Sequence, residues 1–215
     1  MSQLLGSRSA SLQIVGLLTV LSIAPAILIM LTGFTRIIIV LSLTRNALGL
    51  QQMPPNQVLV ALALFITFFV MAPVFNQIET QAVDPYINQQ ITAQQAIDVA
   101  KKPIREFMLK QTYKTDMDLF VGISKQENIS SVDDIPMSTI IPAYITSEIK
   151  RGFQIGFFIF IPFIVIDMVV ASTLMAMGMM MLPPTMISLP FKVLLFVLVD
   201  GWALTIQTLV SSFNT

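Results

Sequence analysis

Residues 166–202 read IDMVVASTLMAMGMMMLPPTMISLPFKVLLFVLVDGW. Two apolar arms, each long enough to cross a bilayer or a thick protein core, meet at Pro183-Pro184. Proline is excluded from helix interiors and tolerated at helix starts and turns, so the pair predicts the bend of a helical hairpin. Met175, Met177, Met179, Met180 and Met181 crowd the approach to that bend, and Asp167, Lys192 and Asp200 interrupt otherwise apolar sequence. Such a hairpin exists only in lipid or inside a large apolar assembly.

The rest of the chain has the same character. Of 215 residues, 55% are hydrophobic and 11% charged, with a mean hydropathy of +0.80. Soluble domains carry about 25% charged residues, so this is a membrane or membrane-assembled protein. Twelve basic and twelve acidic residues cancel, which leaves no global field to attract nucleic acid. Cysteine and histidine are both absent. Disulfides, thiolate chemistry, the usual general base and the usual zinc ligands go with them. Enzymatic readings start at a disadvantage, and no metal or cofactor is expected.

Working outward, Leu12 to Leu31 is the first apolar segment, with Pro25 as a kink. Arg8, this run and Ala24-Pro25-Ala26 imitate a signal peptide, but the run exceeds an ordinary signal core and is read as a retained helix. Thr32 to Arg36 interrupts it and Ile37 to Leu43 resumes it. A turn from Arg45 ends at Pro54-Pro55, and Val58 to Val70 follows. Gly49-x4-Pro54-Pro55 and Gly178-x4-Pro183-Pro184 echo one another, which predicts two similar hairpins. Residues 76–151 hold most of the charge. Thr92 to Gln95 and Ser131 to Asp134 have capping-box spacing. Ile97, Ile104, Phe107, Met108 and Leu119 recur at helical intervals. The basic residues there interleave with acids and read as a solvated face.

The organisation is therefore all-α and membrane-associated. Residues 1–75 form a first hydrophobic hairpin, 76–151 a polar helical domain, and 152–215 a second hydrophobic hairpin with a Met-rich loop. Arg36 and Arg45 in the first loop favour the cytoplasm, which puts the polar domain outside.

Charged groups inside apolar segments are expensive and functional by default. Folded about Pro183-Pro184, Asp167 and Asp200 lie sixteen residues from the bend on either side, at nearly one level. Lys192 then falls about 12 Å nearer the bend, too far to touch Asp200. The two carboxylates read as polar anchors to neighbouring subunits, as a proton relay in a transporter, or as an aspartyl protease dyad. The last lacks a Gly-x-Gly-Asp setting. Arg36 should snorkel, pair, or sit inside an assembly. The methionines, long, unbranched and polarisable, suit a surface that seals and then deforms. A ring of them from several subunits makes a soft constriction that blocks ions when empty.

The run IPAYITSEIKRGFQIGFFIFIPFIVIDMVVASTLMAMGMMMLPPTMISLPFKVLLFVLVDGW, residues 141–202, resembles the C-terminal half of the FliP family, related to the SctR component of virulence secretion systems. TGFTRIIIVLSLTRNALGLQQMPPNQVLVALALFITFFVMAPV, residues 32–74, resembles the N-terminal half, and REFMLKQTYKTDMDLF in the middle looks flagellar rather than virulence-type. The resemblance implies a core subunit of the flagellar type III export gate. It implies a homo-oligomer, a pentamer, joined by FliQ and FliR, working with FlhA and FlhB, in the inner membrane at the flagellar basal body. Unfolded flagellar subunits would pass through its pore. Many of the apolar hairpins would pack on protein in a tapering helical assembly. Met179, Met180 and Met181 would form the gasket around that pore; Arg36, Asp167, Lys192 and Asp200, on the reading of the charges themselves, are buried groups for pairing between subunits. No nucleotide site is needed, and no Walker motif is present.

Overall fold

The computed structural model describes residues 16, 18–19, 21–23, 25–50, 52–124, 131–179 and 181–213. Among these the regular structure is helical and no strand occurs. The expected kink at Pro25 and much of the expected helix from Leu12 lie at or beyond the edge of the described residues.

Helix α1 (Pro25–Leu31) meets α2 (Phe34–Ala47) at 85°. The break falls at Thr32-Gly33, inside the predicted interruption. Thr32 Oγ donates to the Leu28 carbonyl at 2.5 Å and Thr35 Oγ to that of Ile29 at 3.1 Å, so carbonyls freed by the bend stay paired. The Phe213 ring lies so close to Gly33 that an added Cβ would sit 2.5 Å from its Cζ.

Helix α2 is the hub. Ile37, Val40, Leu41 and Thr44 fall at i, i+3, i+4 and i+7, one helical face, and all four are fully buried. That face packs on Leu59, Ala63 and Ile66 of α3 (Asn56–Ile78) and on Leu209 and Phe213 near the C-terminal end. The opposite side of α2 lies along α7 (Met137–Ala176), its most extensive neighbour.

Helix α3 runs through Pro73 and continues by a π turn (Glu79–Val83) into α4 (Asp84–Ile87), so the backbone crosses residue 76 without a break. The polar segment folds as helices, as its composition suggests: α5 (Ala93–Gln111) and α6 (Lys114–Ser124). The Thr92–Gln95 capping box forms, the Thr92 amide donating to Gln95 Oε1 at 2.8 Å. In the Ser131–Asp134 box the Ser131 amide donates to Asp134 Oδ2 at 2.9 Å. Ile104, Phe107 and Met108 pack against Ile135, Ile140 and Tyr144. Ile97 and Leu119 are instead exposed, a correction to the predicted apolar face. Helical spacing alone does not say where a neighbouring helix ends. Gly122 in α6 has open space where a Cβ would go. Gly122→Ala should therefore raise stability by roughly 0.5–1 kcal/mol, read as a higher thermal midpoint.

Helix α7, 40 residues long, leads into α8 (Pro184–Leu198) and α9 (Gly201–Ser211). The last arm was expected to run unbroken through Asp200. It bends by 63° between α8 and α9, because Asp200 takes a left-handed conformation with φ 50°. Asp adopts this region more readily than most residues.

Among the described residues, two helices, Asn56–Ile87 and Met137–Ala176, are long and apolar enough to cross a membrane, up to four if each bent pair counts as one. Their most apolar stretches are only 33% and 17% buried within the chain. Phe65, Phe68, Phe69, Phe157 and Phe158 all face outward. Surfaces this apolar need lipid or other protein chains against them.

Candidate functional site

The second hairpin does not turn on the proline pair alone. Helix α7 stops at Ala176, and Pro183 caps the start of α8. The bend is the intervening stretch from Met177 to Pro183. Gly178, at φ 75°, ends α7 in a left-handed cap that a side chain would strain. Its amide donates to the Met175 carbonyl at 3.0 Å, and the Met179 amide to that of Leu174 at 3.0 Å. The first hairpin repeats the device. Gly49, at φ 77°, follows α2 and donates to Asn46 at 3.0 Å, and Pro55 caps α3 after Pro54.

This cap holds the methionines outward. Met175 is 62% exposed, Met177 65%, Met179 44% and Met181 99%. Met180 lies outside the described residues. An apolar side chain almost wholly exposed at the tip of a hairpin contributes nothing to this chain's own core.

The wider bend changes the charge pairing. Asp167 lies nine residues before the end of α7. Its level on the return arm is therefore near Lys192 and not at Asp200. Lys192 Nζ donates to Asp167 Oδ2 at 2.5 Å, and Ser188 Oγ to Oδ1 at 2.5 Å. Lys192 and Ser188 are buried. The expectation that Asp167 and Asp200 share a level is thus corrected. Asp200 lies eight residues past Lys192, about 12 Å along a helix. It is exposed rather than buried, and its side chain does not cap α9.

Arg36 was placed in the first loop and expected to snorkel, pair, or sit inside an assembly. It is fully buried, and all five of its N–H donors find partners inside the chain. Nε donates to Glu148 Oε2 at 3.1 Å, and one terminal nitrogen to Glu148 Oε1. That nitrogen also donates to Gln111 Oε1 at 2.9 Å. The other donates to the Ser212 carbonyl at 2.9 Å and to Ser212 Oγ at 3.0 Å. The guanidinium lies 3.8 Å from the centre of the Phe213 ring. Gln111 Nε2 closes the circle by donating to the Phe213 carbonyl at 3.1 Å. This knot joins α2, the end of α5, α7 and the chain beyond α9. With Arg36 inside the protein, the charge argument for a cytoplasmic first loop rests on Arg45 alone, which donates to the Pro54 carbonyl at 3.2 Å and to Asn56 Oδ1 at 2.6 Å. A second tie runs from α7 to the buried Asp116 of α6, which pairs with the exposed Lys150 and accepts from the buried Ser147 Oγ at 2.8 Å.

Sequence reasoning missed Glu148, Gln111, Ser188 and Ser212. Glu148 carried a signal: it is an acid in the helix that also holds Asp167. The other three are common polar residues with nothing local to mark them. No group of three or more acidic residues able to hold a metal occurs among the described residues.

The model of the FliP family matches residues 17–209. The chain is 56% identical over 205 residues to the flagellar biosynthetic protein FliP of Bacillus subtilis (strain 168), covering 95% of this chain and 93% of the relative. It is 55% identical over 207 residues to the protein of that name from Pectobacterium carotovorum subsp. carotovorum, covering 96% and 80%. A third, from Caulobacter vibrioides, is 52% identical over 209 residues, covering 97% and 79%. With the match running through both hairpins and the polar segment between them, the chain belongs to the FliP family.

Proposed function

We propose that this chain is a pore-forming subunit of the flagellar type III export gate in the bacterial inner membrane. Several copies, five on this reading, assemble with FliQ and FliR around one axis and work with FlhA and FlhB at the basal body. Unfolded flagellar subunits pass along that axis. The single observation that carries the reading is the outward display of Met177, Met179 and Met181 by a capped hairpin bend. Flexible thioethers close against one another without fixed geometry and yield to a passing chain of any sequence. A dewetted ring of this kind stops ions. The long exposed apolar faces of α3 and α7 supply the surface for lipid and for neighbouring subunits.

The transporter alternative loses its main support, since Asp167 is taken by Lys192 and Ser188 and not by Asp200. Substituting Met179, Met180 and Met181 together with alanine should make the membrane leak ions while export continues. A potential-sensitive dye reads the first and the amount of secreted hook protein the second. A membrane that stays tight in this variant overturns the gasket.

A further inference from the structure

A cleft of about 580 Å³ opens between the first hairpin turn and the α8–α9 break. Leu48, Met53 and Val58 form one wall, and Phe196, Val197 and Trp202 the other. Asp200 is the one ionisable residue among those lining it. Its carboxylate is exposed and has no hydrogen bond or ion pair among the described residues. An apolar wall with a single bare anion is poorly suited to a wholly apolar occupant. Covering the cleft with hydrocarbon would strip water from the carboxylate and give nothing back.

Among the described residues of this chain, no free cation lies on an apolar arm where a second copy could offer it to Asp200. Among the described residues, Arg36 and Lys192 are buried and paired, and Arg45 is engaged by its own turn. The other described lysines and arginines fall on α5, α6 and the polar stretch of α7 at Lys150-Arg151, off the apolar arms. We propose that this cleft seats an apolar helix of a different chain that carries one lysine or arginine, with Asp200 as its counter-charge. The apolar walls supply the contact area and the carboxylate selects the partner and fixes its register. This does not depend on the pore reading, because occupancy of the cleft can be measured on the single chain without any conduction.

Trp202 makes the test direct, since it is the chain's one tryptophan and it lines the cleft. The probe is a tryptophan-free Leu/Ala helical peptide of about 20 residues with one central lysine, compared with the same peptide carrying leucine there. Each is titrated into the purified full-length protein in detergent micelles while Trp202 emission is followed. The lysine peptide should give a saturable shift and bind at least about tenfold more tightly than the leucine peptide. Asp200→Asn should abolish that preference. Asparagine tolerates the left-handed backbone as aspartate does, so the fold is kept and circular dichroism checks it. Asp118→Asn, an exposed carboxylate on α6, should leave the preference intact. Equal binding of both peptides, an unchanged emission, or a preference that survives Asp200→Asn overturns the proposal. A Trp202 shift of the same size produced by raising the protein's own concentration, or by adding lipid alone, overturns the choice of occupant.

Discussion

Arg36→Met is expected to lower the thermal midpoint of the detergent-solubilised protein by on the order of 10 °C. The substitution leaves the Glu148 carboxylate fully buried without its cation. Breaking a buried pair in this way costs about 3–5 kcal/mol, well above the gain from any exposed ion pair. It also frees the Gln111 side chain and the Ser212 carbonyl from their shared donor. Glu148→Leu should be similarly damaging, because the guanidinium then keeps only neutral acceptors. The combined Arg36→Met, Glu148→Leu variant should be more stable than Arg36→Met alone. Replacing both members of a buried pair with apolar groups of similar volume is often close to neutral. A double variant no more stable than the worse single one would show that the two residues are not coupled. The midpoint should also be nearly independent of added salt, since counterions do not reach the pair.

The next largest effect is expected at the seam between α2 and α7. A Cβ at Gly156 would approach Leu43 at its Cβ to 3.0 Å and its Cγ to 3.2 Å, and one at Gly152 would meet Ile39 Cγ2 at 3.0 Å. These glycines let the two helices close on each other, and a branched side chain there must push them apart. Gly156→Val should cost about 1–3 kcal/mol by overpacking, despite the poorer helix propensity of glycine. Leu43→Ala in the same chain should restore part of the loss by making room. Thermal unfolding followed by circular dichroism reads both variants, and swimming in soft agar reads whether the assembled apparatus survives.

The periodic features were legible in the sequence, and the long-range pairings were not. Proline pairs, glycines and capping-box spacing are local signals, and they marked the hairpin turns and the two boxes at Thr92 and Ser131. The methionine-rich bend was visible because five methionines crowd one short stretch. The charge partners failed for a different reason. Placing the bend at Pro183-Pro184 ignored the loop from Met177 onward, and that shift moved Asp167 opposite Lys192. Arg36 and Glu148 are 112 positions apart, and no spacing rule connects them. The break at Asp200 escaped because an aspartate in an apolar run carries no sign of a left-handed backbone. The neighbouring Gly201, pressed against Phe196, is the hint that reading passed over.

The tie between Arg36 and Ser212 has a consequence for biosynthesis. Ribosomes release the amino end first, so the guanidinium is made long before the carbonyl that receives it. Until residues 212 and 213 leave the exit tunnel, the first hairpin carries a cation with two acceptors and its aromatic lid missing. Final closure must therefore wait until that stretch has emerged, and a nascent chain stalled ahead of that point would stay open to membrane proteases.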